Sequence, residues 1–226
     1  MNAFDIDLDR LAADGHLVLD GVLAPDACAS AAGLWDSAAF RTRVVMERHA
    51  YGRGEYRYFD DPLPPLVTGL RQRLYAGLLP LARRQAPALG LDIDYPDTLE
   101  EFRSLCAAQG QSRPTCLLLR YGAGDFNNLH QDLYGEIVFP FQGAVLLSRP
   151  GVDFTGGEFV LVESRPRQQS AATVVPLQQG QMVVFATRQK IVQGRLRPYR
   201  ASLRHGVSLV RSGSRTTLGI ILHDAR

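Results

Sequence analysis

The spacing of apolar residues changes character along this chain. Leucines at 66, 70, 74, 78 and 81 recur at helical spacing, so 66–86 is predicted as an amphipathic helix covering apolar surface. Upstream, residues 5–15 read as a short helix and 15–23 as a strand and turn. Pro25-Asp26 opens a helix running to about Trp35, with Asp26 placed to favour the positive end of its dipole. Residues 41–59 alternate as strands do, with Gly52-Arg53-Gly54 as the turn, until Pro62, Pro64 and Pro65 interrupt them. The stretch 87–114 is irregular, with a short helix near 98–108. From Thr115 onward the apolar runs become short, at 116–121, 137–147, 158–162, 173–175, 182–186, 205–210 and 216–222. Pro150-Gly151, Gly156-Gly157, Gln179-Gly180 and Ser212-Gly213 punctuate them. Many short strands with glycine turns and no helices between them predict a mainly β protein with N-terminal helices, built as a barrel or jelly roll. The expectation is one domain over 1–226, in which 1–114 buttresses a core formed by 115–224.

Composition adds limits. The chain has 226 residues, 46% hydrophobic and 21% charged, enough for a core that needs neither disulfides nor a structural metal. A net charge of +2 falls short of the excess expected of a dedicated nucleic-acid binder. Lys190 is the only lysine; the arginine preference fits coding bias, or bidentate recognition of phosphate or carboxylate. Cys28, Cys106 and Cys116 are odd in number and widely spaced, which suggests reduced thiols in a cytoplasm. The acidic start without an apolar stretch leads to the same cytoplasmic expectation, and no apolar run approaches the roughly 20 residues that cross a bilayer.

Chemistry concentrates in Tyr121-Gly122-Ala123-Gly124-Asp125-Phe126-Asn127-Asn128-Leu129-His130-Gln131-Asp132 and in two distant residues, His205 and Arg215. On extended chain, residues two apart face one side, so His130 and Asp132 can meet a single ion. His205, beyond the Pro198 turn, is the candidate third ligand, and two histidines with one carboxylate form the ligand set of non-haem Fe(II) oxygenases. His-x-Asp alone is weak, because a loop histidine bonded to its neighbouring aspartate is an ordinary arrangement; the conjunction with an all-β context, a glycine loop and a downstream arginine carries the specificity. Arg215, ten residues past His205, can clamp a carboxylate through two parallel hydrogen bonds, although a turn arginine would explain it or Arg211 equally. Asn127, Asn128 and Gln131 are candidates to orient the ligands. His16 and His223 have no identified partner and read as structural.

These residues resemble the 2-oxoglutarate/Fe(II)-dependent dioxygenase superfamily over about 115–224. The resemblance implies a double-stranded β-helix, a cupin-like jelly roll. It implies His130, Asp132 and His205 as iron ligands and catalytic residues, with Arg215 on the distal carboxylate of 2-oxoglutarate. Tyr121 and Phe154-Thr155-Gly156-Gly157-Glu158-Phe159 resemble the cosubstrate tyrosine and Gly-Gly-Glu turn of prolyl hydroxylases, and Asp14–Asp20 resembles their N-terminal strand. Arg120-Tyr121 with Leu129-His130-Gln131-Asp132 is similar to AlkB-type demethylases, whose paired C-terminal arginines are not matched, since Ile221 stands six residues past Arg215. The segments His-Gln-Asp-Leu-Tyr-Gly-Glu, Arg-His-Gly-Val-Ser and Leu-Gly-Ile-Ile-Leu-His-Asp resemble most closely a prokaryotic oxygenase family described as acting on damaged nucleic acid.

The activity so implied is hydroxylation of a C–H bond using O2, with decarboxylation of 2-oxoglutarate to succinate and with ascorbate as a possible stimulant. N-alkylated nucleic acid, demethylated oxidatively, is the favoured substrate. A protein side chain, amino acid or small molecule is the enzymatic alternative, and a non-enzymatic sensor of iron or 2-oxoglutarate is the other. No membrane association and no obligate protein partner are expected. The stretch from Arg48 to Phe59 interleaves arginine with aromatic residues, as a base-stacking hairpin would, although an edge hairpin packed on the barrel shows the same alternation. His49, Tyr51, Arg57, Tyr134 and Glu136 are the candidate substrate residues.

Overall fold

The computed structural model describes residues 3–226. Two antiparallel sheets form its centre. The larger contains, in spatial order, β1 (His16–Leu19), β11 (Met182–Ala186), β7 (Phe141–Leu146), β15 (Arg215–Ile220), β5 (Leu117–Tyr121), β4 (Glu55–Phe59) and β2 (Phe40–Val45). The smaller has the order β10 (Ala171–Val175), β9 (Phe159–Ser164), β13 (Tyr199–Val207), β6 (Phe126–His130) and β3 (Gly52–Arg53), with β12 (Gln189–Val192) also paired to β13. A two-stranded ribbon, β8 (Phe154–Gly156) with β14 (Val210–Gly213), sits beside them. This is the double-stranded β-helix that the strand pattern and the family resemblance predict.

The large sheet is covered on both faces, and the sequence of β11 shows it. All five of its residues are buried, as a strand without a solvent face requires. Met182, Val184 and Ala186 join the cluster under the helices, while Val183 and Phe185 join the cluster between the sheets. The helical side is built by α1 (Leu8–Asp14), α2 (Pro25–Ser37), α3 (Pro65–Leu89) and α4 (Leu99–Ala108). In α3 the predicted leucine stripe is the packed face: Leu70, Leu74, Leu78 and Leu81 are buried. The helix runs through Pro80 and Pro87, both of which are exposed, so water can satisfy the carbonyls these prolines leave free. It ends at Gly90, which adopts φ 71°. Thr98 and Glu101 form a reciprocal capping box at the start of α4.

Several expectations need correction. Gly52-Arg53-Gly54 is not the turn of its hairpin: a 3-10 helix over Met46–His49 reverses the chain, and Gly52-Arg53 pairs with β6 instead. A side chain at Gly52 would strike the carbonyl of Phe126 at 2.4 Å, so that close pairing needs glycine. The strand expected over 137–147 begins only after Pro140, and the strand expected from His205 begins at Tyr199. β6, β8, β12 and β14 were not anticipated, because they are short or rich in Asn, Gly and Ser. Cys28, Cys106 and Cys116 are buried and unpaired. Among the described residues no helix is long and apolar enough to cross a membrane.

Candidate metal centre and cosubstrate pocket

β6 and β13 are antiparallel neighbours, and His130 is the direct partner of His205 in their register. A shift in register between His205 and Val207 marks an irregularity at this point. The imidazoles therefore project together between the sheets, with ring centroids 4.1 Å apart. Asp132 lies just beyond the end of β6, outside any strand, so the loop rather than strand alternation delivers it. Its oxygens stand 3.6 Å from His130 Nε2 and 3.3 Å from His205 Nε2. One ligand atom from each residue lies within 4.8 Å of the others.

Each ligand is held by neighbours. His130 Nδ1 donates to the Asn128 carbonyl at 2.7 Å, which leaves Nε2 bare for a metal. The Gln142 amide donates to Asp132 Oδ2 at 2.8 Å, and the Tyr134 hydroxyl donates to Oδ1 at 2.9 Å. Tyr58 donates in turn to the Tyr134 hydroxyl at 2.9 Å. Gln131 is not directed at the triad and ties the loop to β13, donating to the carbonyls of Arg188 and Leu203 at 2.9 and 2.7 Å. Burial opposes ionisation of Asp132, but His205, His130 and Gln142 together hold its carboxyl well below the usual carboxylate range. Burial, then the neighbouring His130, lowers the basicity of His205. Two neutral imidazoles and a carboxylate are the donor set that suits a divalent first-row metal. His130, Asp132 and His205 could therefore bind iron.

Arg215 opens β15 directly opposite Tyr121 of β5, and both side chains are buried and line one chamber with the triad. This chamber, of about 60 Å3, is lined by the three ligands together with Tyr121, Asn127 and Thr217. The Arg215 guanidinium bonds to the Thr217 hydroxyl, but its Nε has no partner. No carboxylate forms an ion pair with it among the described residues. Burial pushes its pKa down to about 10, so it remains a cation at neutral pH. Tyr121, whose hydroxyl accepts from Asn127 at 3.2 Å, is pushed by burial up to about 12. An unmatched buried cation beside a metal-ligand triad fits a dicarboxylate chelated at one end and clamped at the other. Gly157, at φ 64°, lets the β8–β9 turn pass close to this arginine, because a side chain there would lie 3.0 Å from Arg215 Cδ.

A second cavity, of about 440 Å3, opens from the triad toward solvent. Tyr51, Tyr56, Tyr58 and Tyr134 line it with Leu117, Leu119 and Leu133. The other candidate substrate residues lie elsewhere. Arg57 projects from β4 on the face opposite Tyr56 and Tyr58, where it pairs with Glu55 at 2.8 Å and stacks on Trp35 at 4.2 Å. Glu136 pairs with Arg226 at the surface, and His49 stacks on the outer side of Tyr51 at 5.4 Å. Sequence reasoning missed Gln142, Thr217 and Tyr58. For Gln142 a signal existed: a lone amide inside an apolar strand run needs a buried partner.

The comparisons agree with this geometry. Residues 54–225 match the model of a family described as oxygenases catalysing oxidative methylation of damaged DNA. Uncharacterized protein Rv2227 of Mycobacterium tuberculosis is 48% identical over 193 residues, covering 83% of each chain. Two solved structures share the fold. A Pseudomonas putida prolyl-4-hydroxylase is 16% identical with a TM-score of 0.53, covering 97% of both chains. A 2OG-Fe(II) oxygenase-family oxidoreductase of Burkholderia pseudomallei is 18% identical with a TM-score of 0.53, covering 100% of this chain and 96% of that one. The chain belongs to the oxygenase family so described, and its His130, Asp132 and His205 could hold the metal ion.

Proposed function

We propose that this oxygenase removes N-alkyl groups from nucleobases, with His130, Asp132 and His205 holding the iron and Arg215 and Tyr121 holding 2-oxoglutarate. The observation that carries the substrate is the aromatic cavity over the triad. Its tyrosines present flat, uncharged surface, and burial holds Tyr56 up at about 12, so it stays neutral. Apart from His130 and Asp132 the cavity has no ionisable residue other than tyrosine. Such a slot favours an unpaired base, stacked and stripped of water, over a charged small acid. The match to a family described as acting on damaged DNA supports the same choice.

A metal held there would, with the 2-oxo acid and O2, supply the oxidation: one atom of O2 ends in succinate as CO2 leaves, and the other enters the substrate C–H bond. The protein supplies placement. Gln142 and Tyr134 fix Asp132, the Asn128 carbonyl fixes the tautomer of His130, and Arg215 anchors the distal carboxylate in a dry chamber. An N-hydroxymethyl product then breaks its C–N bond, releasing formaldehyde and returning the proton to nitrogen.

A second reading is a hydroxylase of protein side chains or amino acids. Its support is the rim of the cavity, where Tyr51, Leu129 and Leu133 are 50%, 45% and 40% exposed and would suit an apolar peptide segment. The test is incubation with an oligonucleotide carrying one N-methylated base, beside a proline-containing peptide. Formaldehyde release with loss of the methyl group supports the demethylase. Stable gain of one oxygen atom by the peptide, with the oligonucleotide untouched, supports the second reading.

A further inference from the structure

Charge is segregated along this chain. Residues 164–223 contain 10 arginines and lysines and no aspartate or glutamate, while the remainder holds the other 15 cations and all 23 acidic residues. Outside the segment many arginines are neutralised: Arg43 by Glu55 at 2.6 Å, Arg83 by Asp97 at 2.8 Å and Arg84 by Asp9 at 2.9 Å. At the edge of the segment, Glu163 is already shared by Arg165 and Lys190. The side chains of Arg188, Arg195, Arg197 and Arg204 are exposed, and none makes a hydrogen bond, ion pair or ring contact among the described residues.

These four cations lie on one structure, the β12–β13 hairpin. Arg188 immediately precedes β12, Arg195 and Arg197 sit in the turn, and Arg204 lies on β13 next to His205. The hairpin is tied to the metal centre, because Gln131, between His130 and Asp132, donates to the Arg188 carbonyl. A groove of about 180 Å3, lined by Arg188, Arg200 and Leu133, runs beside it, and Leu133 also lines the tyrosine cavity. From His205 to the turn, the strand carries this charge about 20–25 Å away from the mouth of the site. At the tip Leu196 is 93% exposed between two arginines, an apolar group offered to solvent where a base could stack.

We propose that the β12–β13 hairpin is a track for the phosphodiester backbone of single-stranded DNA, holding the strand that flanks the oxidised base. The inference rests on the nucleic-acid reading of the site. Exposed guanidinium groups suit phosphate, and the hairpin itself carries no carboxylate to repel it. It also relocates the expected clamp. In the Arg48 to Phe59 stretch Arg53 is paired with Glu47 at 3.0 Å and Arg57 with Glu55 at 2.8 Å, which leaves Arg48 as its one free cation among the described residues.

The test is fluorescence anisotropy with a labelled thymidine oligonucleotide of about 12 nucleotides, a length within the usual range of single-strand sites. The protein is loaded with Mn(II) and 2-oxoglutarate, and binding is followed across a salt series. Replacing Arg188, Arg195, Arg197 and Arg204 together by Ser is expected to weaken binding more than tenfold at low salt. The slope of log affinity against log salt should fall by roughly 3, at about 0.7 per lost phosphate contact. A second variant, Arg195→Glu with Arg197→Glu, changes only the turn and should also weaken binding, while thermal melting monitors the fold of both. Replacing Arg10, Arg83 and Arg84 by Ser should leave binding unchanged. Wild-type binding that survives both hairpin variants overturns the track and leaves the nucleic-acid reading intact. Tighter binding of the matching RNA, or of anionic phospholipid vesicles with the same arginine dependence, overturns DNA as the partner. A wild type that converts 2-oxoglutarate yet binds no oligonucleotide overturns both.

Discussion

His130 and His205 are direct partners across two antiparallel strands, and Asp132 reaches the same point from the loop that leaves the first of them. A metal held this way depends on all three side chains. Replacing any one by Ala should reduce Mn(II) affinity by more than the roughly 10–100-fold that loss of a supporting hydrogen bond typically costs. Titration followed by electron paramagnetic resonance measures it. Wild-type affinity in all three variants would place the metal elsewhere.

The carboxylate of Asp132 is gripped at both oxygens, by Gln142 and by Tyr134. Gln142→Leu and Tyr134→Phe each remove one grip and leave the ligand in place. Each is expected to raise the Mn(II) dissociation constant by about 10–100-fold. Because the Gln142 Oε1 atom has no partner, the leucine removes no other hydrogen bond. Unchanged affinity in both variants would mean that the loop backbone alone sets the position of Asp132.

Arg215 is a buried cation awaiting a counter-charge. Addition of 2-oxoglutarate to the Mn(II) protein should therefore raise the melting temperature. At a ligand concentration of 100 times Kd the stabilisation is about 2.7 kcal/mol. Arg215→Leu should abolish that gain and leave the gain from Mn(II) alone. The pKa of this group, lowered by burial to about 10, also sets a pH limit. The cation persists below that value, so affinity for the cosubstrate should be flat through neutral pH and decline as pH rises through it. Isothermal titration across the pH series reads this directly, and a decline centred near neutrality would contradict it.

Asp224 anchors the end of the chain to the helical layer. Its carboxylate pairs with Arg71 at 2.5 Å and with Arg103 at 2.9 Å, and both Asp224 and Arg71 are fully buried. Asp224→Ala strands a buried guanidinium, which typically costs about 3–5 kcal/mol. Urea denaturation should show that loss, whereas Asp9→Ala, which breaks the exposed pair with Arg84, should cost about 1 kcal/mol or less.

The parts of this architecture legible from sequence are those where periodicity and burial coincide. The leucine stripe of α3 and the five apolar residues of β11 are explicit in the chain because each packs against a continuous core. β6 was not legible, since Asn127 and Asn128 give it no apolar face; it exists because β13 and β3 pair with it on either side. Asp132 illustrates the same limit. Strand alternation predicts it beside His130, and the residue is there, but a loop pinned by Gln131 delivers it. Long-range partners such as Tyr58 with Tyr134, 76 residues apart, leave no local trace. Arg57 was misplaced because the arginine–aromatic alternation did not say which face met the cavity.

The most direct measurement is anaerobic absorption spectroscopy of the protein with Fe(II), before and after addition of 2-oxoglutarate. A visible charge-transfer band requires the metal and the 2-oxo acid in one complex, so it reads the triad and the cosubstrate pocket together. The wild type should show a band at one iron per chain, absent from His205→Ala and needing far more 2-oxoglutarate in Arg215→Leu. A wild type without the band, or a band of equal strength in His205→Ala, would contradict it.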